Sequence, residues 1–307
     1  MRKITVRVPA LITNIGPGLN CFSLAVKLYN YITIEETSKP GYHVTNLNEA
    51  ESLASDMNNP MIMTAIDFLE KKLVYKPKCG IHITNDFRIP LNRGLSSMVA
   101  GVVGVIIASS ILAEVDLQPE DVLNFLKYYN AEPQNLCSAI LGGFTIGCVA
   151  DEQIYAMKIP FPEELKLTLI IPEYDVTLKT DKNILPKIVK MEDAIFNLSR
   201  AAMFVASLCQ KEFKTINMCL DDRLHQPYKR KKIPAADEIS LIARTCDTMG
   251  LTLCGNGSSI LIMHKKEGHS CDAMIKRIKT AYTRSRVNFK IVVTDIDEYG
   301  GALVGGE

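Results

Sequence analysis

The sequence has almost no net charge, and this argues against nucleic acid or an anionic membrane surface as a partner. Its 307 residues contain 35 Lys and Arg against 34 Asp and Glu, which leaves a formal net charge of +1. Proteins that coat DNA or RNA depend on an excess of basic charge. We therefore expect no nucleic-acid partner, and we interpret the basic run 229–232 as a solvated loop.

The sequence also lacks paired cysteines and metal-ligand spacings. Nine cysteines are scattered between Cys21 and Cys271 without a C-x-x-C pair, and the five histidines show no zinc-site spacing. A dispersed, odd set of thiols is typical of a reduced protein. Residues 1–9 alternate charged and apolar side chains, unlike the apolar core of a signal peptide. These features predict a cytoplasmic protein.

One stretch, 95–113, contains no charged residue and approaches the roughly 20 residues that span a bilayer. It includes glycines and four serines and has no aromatic residue at either end. We favour a central helix that is buried on all sides in a large domain, and a transmembrane helix is the less favoured alternative.

The length and periodicity of the chain favour two α+β halves. Hydrophobic residues make up 47% and charged residues 22%, a globular balance, and 307 residues fit one large domain or two ordinary ones. Alternating or apolar runs predict strands at 5–8, 31–35, 81–83, 142–147, 165–171, 251–263 (with a turn) and 291–294. Helices are predicted after Asn59-Pro60, after Pro119 and over 191–208, and the halves would meet near 150–165.

The segment 90–97 is the strongest candidate for a phosphate site. A glycine-containing turn that leads into a helix presents free backbone N–H groups and the positive end of the helix dipole. The hydroxyls of Ser96 and Ser97 could contact a phosphate oxygen or Mg²⁺. The alternative is a serine cap on a buried helix, and no Walker lysine follows. Alone, the turns at 14–18 and 256–257 and the side chain of His225 would be interpreted as structural.

The order of these segments resembles the GHMP kinases, and within them the homoserine kinases, over nearly the whole chain. Residues 8–10 and 14–20 resemble the motif P-A-T-x-A-N-L-G-P-G-F-D, and 90–97 resembles the phosphate loop P-L-x-R-G-L-G-S-S. Residues 254–259 stand at the third glycine turn, S-G-A-G-P-S. Further matches lie at 133–143, 185–202 and 222–228.

The resemblance implies an α+β, two-domain GHMP kinase fold. Its N-terminal half, 1–160, would be ribosomal-protein-S5-like and bind ATP, and its C-terminal half, 161–307, would be ferredoxin-like. The implied activity is phosphoryl transfer from ATP, with Mg²⁺, to the hydroxyl of L-homoserine, a step of threonine biosynthesis. A homodimer is also implied.

Residue roles follow from the same resemblance, position by position. The catalytic positions would be Asn14, Glu132 and Asn135, and the metal ligands Ser97 and Asn130. The nucleotide would be bound by Asn59, Met61, Pro90, Asn92, Arg93, Gly94, Leu95, Ser96 and Ser97. The substrate would be bound by Asn20, Lys179, Asn183, Lys229 and Gly257.

Several of these positions depart from the family's pattern. The phosphate loop reads as one residue short, because Gly94-Leu95 is followed directly by Ser96. Asn130 stands where the family has a metal-binding glutamate, and Asn20 replaces the aspartate expected to receive the substrate's ammonium group. Two further readings therefore stay open: a catalytically impaired protein that binds a nucleotide or metabolite in a regulatory role, or a kinase of another hydroxylated metabolite.

Overall fold

The computed structural model describes residues 2–127, 136–173, 184–246, 248–266 and 270–306. Five of the predicted site residues lie outside these ranges: Asn130, Glu132, Asn135, Lys179 and Asn183.

A mixed seven-stranded sheet forms the N-terminal part, and its last strand comes from the C-terminal end of the chain. Its strands are β1 (Lys3–Thr13), β2 (Phe22–Thr37), β3 (Gly41–Asn48), β4 (Gly80–Phe87), β5 (Phe144–Ala150), β6 (Gln153–Ile159) and β11 (Ala302–Gly306). The main order is β11-β1-β2-β4-β3, and β5 pairs with both β2 and β6. Only β3 and β4 pair in parallel among these strands. The strand predicted at 5–8 extends to Thr13. The prediction stopped short because the last five positions of β1 are all buried, so they show no alternation of buried and exposed side chains.

The uncharged stretch forms α2 (Ser97–Leu112), which packs across β1 and β2. Most of its residues are buried on every side of the helix, which confirms the predicted central helix. Within the described ranges, no helix combines the length and apolarity needed to cross a membrane.

Three shorter helices complete this part: α1 (Pro60–Ala65), which continues as a π-helical stretch (Ile66–Lys72), α3 (Pro119–Leu126) and α4 (Cys137–Leu141). Both predicted helix starts are confirmed. Asn59 caps α1, and Gln118 and Asp121 form reciprocal cap hydrogen bonds around Pro119 at the start of α3.

The C-terminal part has an antiparallel sheet in the order β10-β7-β9-β8. Its strands are β7 (Leu165–Pro172), β8 (Gly250–Leu253), β9 (Ile260–Lys265) and β10 (Phe289–Thr294). The helices are α5 (Met191–Gln210), α6 (Phe213–Cys219), α7 (Gln226–Arg230), α8 (Ala236–Thr245) and α9 (Ser270–Arg284). The strands predicted near 165, 251–263 and 291 and the helix over 191–208 are confirmed, and the fold is α+β as expected.

One hydrophobic core crosses the predicted boundary at residue 160. Phe204 on α5 is fully buried against Phe22 and Phe144 of the large sheet, with ring centroids 5.9 and 5.6 Å away. A second cluster, which includes Ile239 and Tyr282, lies beneath the small sheet alone. The domain limits 1–160 and 161–307 stay a prediction. The helix α5, which lies beyond residue 160, shares its core with the N-terminal sheet.

We predict that Phe204→Ala lowers the free energy of unfolding by about 3–5 kcal/mol, because it leaves a cavity between α5 and the large sheet. Met203→Ala is the matched control on the same helix: its side chain is exposed, and the change should stay within about 0.5 kcal/mol. Urea unfolding followed by circular dichroism measures both. Equal losses for the two variants would contradict a core shared by the two halves.

Candidate active site

Three glycine-containing loops meet between the two parts of the protein. We name them loop A (residues 14–20, between β1 and β2), loop B (90–96, before α2) and loop C (254–259, between β8 and β9). The N–H of Gly255 donates to the Thr13 carbonyl at 2.9 Å, and the N–H of Ser259 donates to the Arg93 carbonyl at 3.2 Å. Loop C is therefore hydrogen-bonded to loop B and to the residue that precedes loop A, so segments far apart in the sequence form one site.

Gly94 and Gly257 lie where the backbones of loops B and C approach closely. A Cβ on Gly257 would overlap the backbone of Arg93 and Gly94, and a Cβ on Gly94 would overlap the Cys254 carbonyl oxygen. Gly94 also has φ of +79°, which a side chain would strain. The structure thus brings together a predicted nucleotide-binding residue and a predicted substrate-binding residue, and both positions require glycine.

Ser96 has a left-handed backbone, with φ of +57° and ψ of +31°. Glycine adopts this conformation at the lowest cost, so Ser96 occupies the place of the second glycine in P-L-x-R-G-L-G-S-S. Residues 90–98 then match that motif without a gap, with Ser97 and Met98 at its two serines. The apparent shortening of the loop is therefore a replacement of glycine by serine.

Ser97 is buried at the start of α2 and already makes two hydrogen bonds. Its hydroxyl donates to the Ile89 carbonyl at 2.7 Å and accepts from the Asn30 amide at 3.1 Å. No group of three or more His, Cys, Asp or Glu side chains suited to a metal occurs among the described residues. The described residues therefore include one of the two predicted Mg²⁺ ligands, Ser97, and the other, Asn130, lies outside them.

Asn30, which the sequence analysis missed, organises the entry to loop B. Its fully buried side chain accepts from the N–H groups of Arg88 and Ile89, both at 2.9 Å, and donates to the Ser97 carbonyl at 3.0 Å. Asn30 alternates with the buried Ile32 and Ile34 along β2. A polar residue on that face was the available signal, since a buried amide needs partners.

Asn59, predicted on the adenine side, is fully buried and acts as the cap of α1. Its side-chain oxygen accepts from the Met61 N–H at 2.9 Å, and its nitrogen donates to the Ala54 carbonyl at 2.6 Å and to Asn46 at 3.3 Å. Because both N–H donors of this amide are engaged, an adenine contact through them would have to replace one of the bonds to Ala54 or Asn46. Met61 is fully buried as well.

The remaining predicted nucleotide-binding residues belong to loop B. Pro90 and Arg93 are partly exposed, Asn92 is exposed, and Leu95 is buried. The Arg93 guanidinium donates to the Leu91 carbonyl at 3.3 Å.

Loop A is closed by its first and last residues. The side-chain oxygen of Asn14 accepts from the N–H of Asn20 at 2.8 Å, and both asparagines have positive φ values, +59° and +57°. Asn14 is almost fully buried and Asn20 partly exposed. The predicted turn is confirmed, and it places these two residues side by side.

Lys229, predicted to contact the substrate, is buried in α7 and bonded to loop C, so the interpretation of 229–232 as a solvated loop is wrong at this residue. Its Nζ donates to the side-chain oxygen of Asn256 at 2.7 Å and to the Gly255 carbonyl at 3.2 Å. These bonds hold the glycine turn of loop C against α7.

His225 is fully buried at the start of α7, and its Nε2 donates to the carbonyl of Gly16 in loop A at 2.8 Å. Asp222 accepts from the His225 N–H at 2.9 Å, and Asn197 on α5 donates to Asp222 at 2.6 Å. Burial lowers the pKa of His225 to about 4; the Asp222 carboxylate opposes this shift and the Lys229 charge adds to it. The imidazole is therefore neutral at pH 7.

Solved structures of small-molecule kinases share the fold of this chain. A homoserine kinase from Cytophaga hutchinsonii superposes with a TM-score of 0.88 at 23% identity, covering 98% of this chain and 97% of that one. Methanococcus jannaschii mevalonate kinase superposes with a TM-score of 0.71 at 16% identity, covering 95% and 98%. At these identities the likeness concerns the fold.

Relatives that are similar in sequence identify the family of this chain. The chain is 32% identical to the homoserine kinase of Petrotoga mobilis, with 99% of this chain and 97% of the relative covered. It is 33% identical to that of Caldicellulosiruptor bescii, covering 85% and 84%. No protein-family model matches the chain. The chain belongs to the homoserine kinase family, as its motifs indicated.

We predict that His225 makes the fold less stable as the pH falls from 6.5 to 4. The folded-state pKa is below the unfolded value of 6.5, so in this window the unfolded chain binds the extra proton. The loss should approach about 1.4 kcal/mol per pH unit and level off below the folded pKa.

Urea unfolding at several pH values tests this, with His225→Gln as the control. Glutamine keeps an N–H donor for Gly16 but has no group that titrates in this range, so the difference between the two proteins isolates the imidazole from Asp222 and other carboxylates. Parallel curves for wild type and His225→Gln would show that His225 does not titrate as described.

Proposed function

We propose that the chain transfers the γ-phosphoryl group of ATP to the hydroxyl of L-homoserine, in the threonine biosynthesis that the family resemblance implies. The observation that carries this proposal is the meeting of loops A, B and C through backbone hydrogen bonds in a member of the homoserine kinase family. ATP and Mg²⁺ are the implied donor and metal, and membership of the family supports both. We place the activity in the cytoplasm, with a small molecule rather than nucleic acid as the partner.

Loop B and the start of α2 are proposed to hold the phosphates of ATP. The left-handed backbone of Ser96 turns the chain directly into a 16-residue helix, and the Ser96 side chain makes no hydrogen bond to cap it. The first-turn N–H groups and the helix dipole therefore favour an anion at this end. Asn59, Met61, Pro90, Asn92, Arg93, Gly94, Leu95 and Ser97 stay proposed as the remainder of this site.

The proposed metal ligands are Ser97 and Asn130, with Glu132 nearby in sequence. Since the described residues do not complete a Mg²⁺ site, we derive no reaction step through the metal.

The homoserine side is proposed to be formed by Asn20 of loop A and Gly257 of loop C, together with Lys179 and Asn183. The Lys229 ammonium already binds loop C, so its proposed contribution is the shape of that loop. Asn14 and Asn135 are proposed to face the reacting hydroxyl. No side chain is assigned as a strong base, because positioning and charge neutralisation supply most of the catalysis in phosphoryl transfer.

The decisive measurement is ADP release by the purified protein with Mg-ATP, with and without L-homoserine. We expect homoserine-dependent ADP release and a matching phosphomonoester signal in phosphorus NMR. Saturable ATP binding without any acceptor-dependent ADP release would favour a regulatory protein. ADP release with another hydroxylated metabolite alone would reassign the substrate.

Gly94→Ala should lower kcat/KM by about 100-fold or more, because the added Cβ separates loop B from loop C and misplaces the reactants. Gly305→Ala in β11 is the matched control, since its Cβ would meet no atom within 4 Å and activity should be retained. An active Gly94→Ala enzyme would exclude a role for this loop contact in catalysis.

We also propose a homodimer. Three large apolar side chains on α5, Met191, Ile195 and Leu198, are exposed at spacings of four and three residues and therefore form one stripe on the helix. Light scattering of the purified protein is expected to give twice the mass of the chain, and Leu198→Asp to give the mass of one. A monomeric wild type at working concentration would refute the dimer.

A further inference from the structure

Gly16, in the middle of loop A, has both of its backbone polar groups bound by side chains of the C-terminal part. Its N–H donates to the hydroxyl of Thr252 at 2.9 Å, and its carbonyl accepts from Nε2 of His225 at 2.8 Å. Thr252 and His225 are both fully buried. Water cannot replace these bonds there, so a lost partner would leave a buried peptide group unsatisfied.

The two side chains that bind Gly16 are themselves held in place. Gln226 lies next to Thr252, and its side-chain oxygen accepts from the Thr252 hydroxyl at 3.4 Å and from the Leu253 N–H at 3.0 Å. The Gln226 nitrogen donates to the Leu220 carbonyl at 3.2 Å. Asp222 fixes the backbone of His225. The donor and acceptor for Gly16 are thus fixed by β8 and by the start of α7.

Hydrogen bonds within loop A set its shape but not its location. The Asn14–Asn20 bond and the bond from the Gly18 N–H to the Ile15 carbonyl, at 2.9 Å, both join residues of the loop to each other. Its remaining tie to α5, from Asn197 to the Pro17 carbonyl, is 3.5 Å long. The contacts to Gly16, together with the bond from the Gly255 N–H to the Thr13 carbonyl before the loop, therefore hold loop A relative to loop C.

We propose that Thr252 and His225 are positioning residues that act through Gly16 to hold Asn14 and Asn20 against the substrate side of the site. This rests on the proposed function of loop A. Neither side chain touches a reactant: each acts by fixing one peptide group, and both come from the part of the chain that carries loop C. The C-terminal part thereby sets the distance between loops A and C.

The test compares two pairs of variants in the full-length protein. Thr252→Val removes the acceptor of the Gly16 N–H at constant size, and Thr252→Ser restores a hydroxyl. His225→Ala removes the donor to the Gly16 carbonyl, and His225→Gln restores an N–H. Each variant is measured for kcat and for KM with ATP and with homoserine, and for amide hydrogen exchange in residues 14–20.

We expect Thr252→Val and His225→Ala to lower kcat by about 10- to 100-fold with the KM for ATP unchanged, because loop A is displaced while loop B is not. Exchange within residues 14–20 should become faster in both, and the serine and glutamine variants should recover most of the rate and the protection. Retention of full kcat in folded Thr252→Val and His225→Ala would overturn the proposal. So would a uniform rise of exchange over the whole chain without recovery in the conservative variants.

The exchange data separate this inference from the proposed function. A wild-type protein without homoserine-dependent ADP release would refute the function. Faster exchange confined to residues 14–20 in Thr252→Val would still show that Thr252 holds Gly16, and unchanged exchange there would refute the positioning role by itself.

Discussion

The close contact between the backbones of Gly94 and Gly257 is the constraint on which the site depends. Two loops from different sheets approach so closely that neither glycine has room for a Cβ. The approach brings the Ser259 N–H within hydrogen-bonding distance of the Arg93 carbonyl. Main-chain hydrogen bonds of this kind require no ordering of side-chain rotamers. They therefore fix the distance between loops B and C more closely than contacts of long side chains would.

Buried backbone groups lie around that contact, and neighbouring side chains bind several of them. Asn30 binds three backbone groups at the entry to loop B, and Lys229 binds the carbonyl and side chain of loop C. Asp222 accepts backbone N–H groups at the start of α7. A buried polar group is costly when unpaired. The side chains around the loops are therefore constrained by their hydrogen bonds to the backbone as well as by any ligand.

Local signals predicted the elements that depend on local chemistry. Asn59-Pro60 and Pro119 mark helix starts because a cap and a fixed φ act within one turn. β3, β6 and β11 were missed because their side chains are mostly exposed or half-exposed. Without an alternation of buried and exposed positions, periodicity carries no signal for such strands. The hydrogen bonds to Gly16 could not be predicted from local signals, because they join residues that are 209 and 236 positions apart in the sequence.

The positions that depart from the family pattern differ in physical consequence. Ser96 keeps the left-handed turn of a glycine at a cost in backbone strain, so the course of loop B is retained while a hydroxymethyl group is added next to the start of α2. The single point charge of Lys229 is already bonded to loop C. The course of loop B is thus retained, whereas the residue proposed to receive the substrate's ammonium group has changed from an aspartate to the neutral Asn20. Selectivity among hydroxylated acceptors is therefore where this chain has the most physical reason to differ from its relatives.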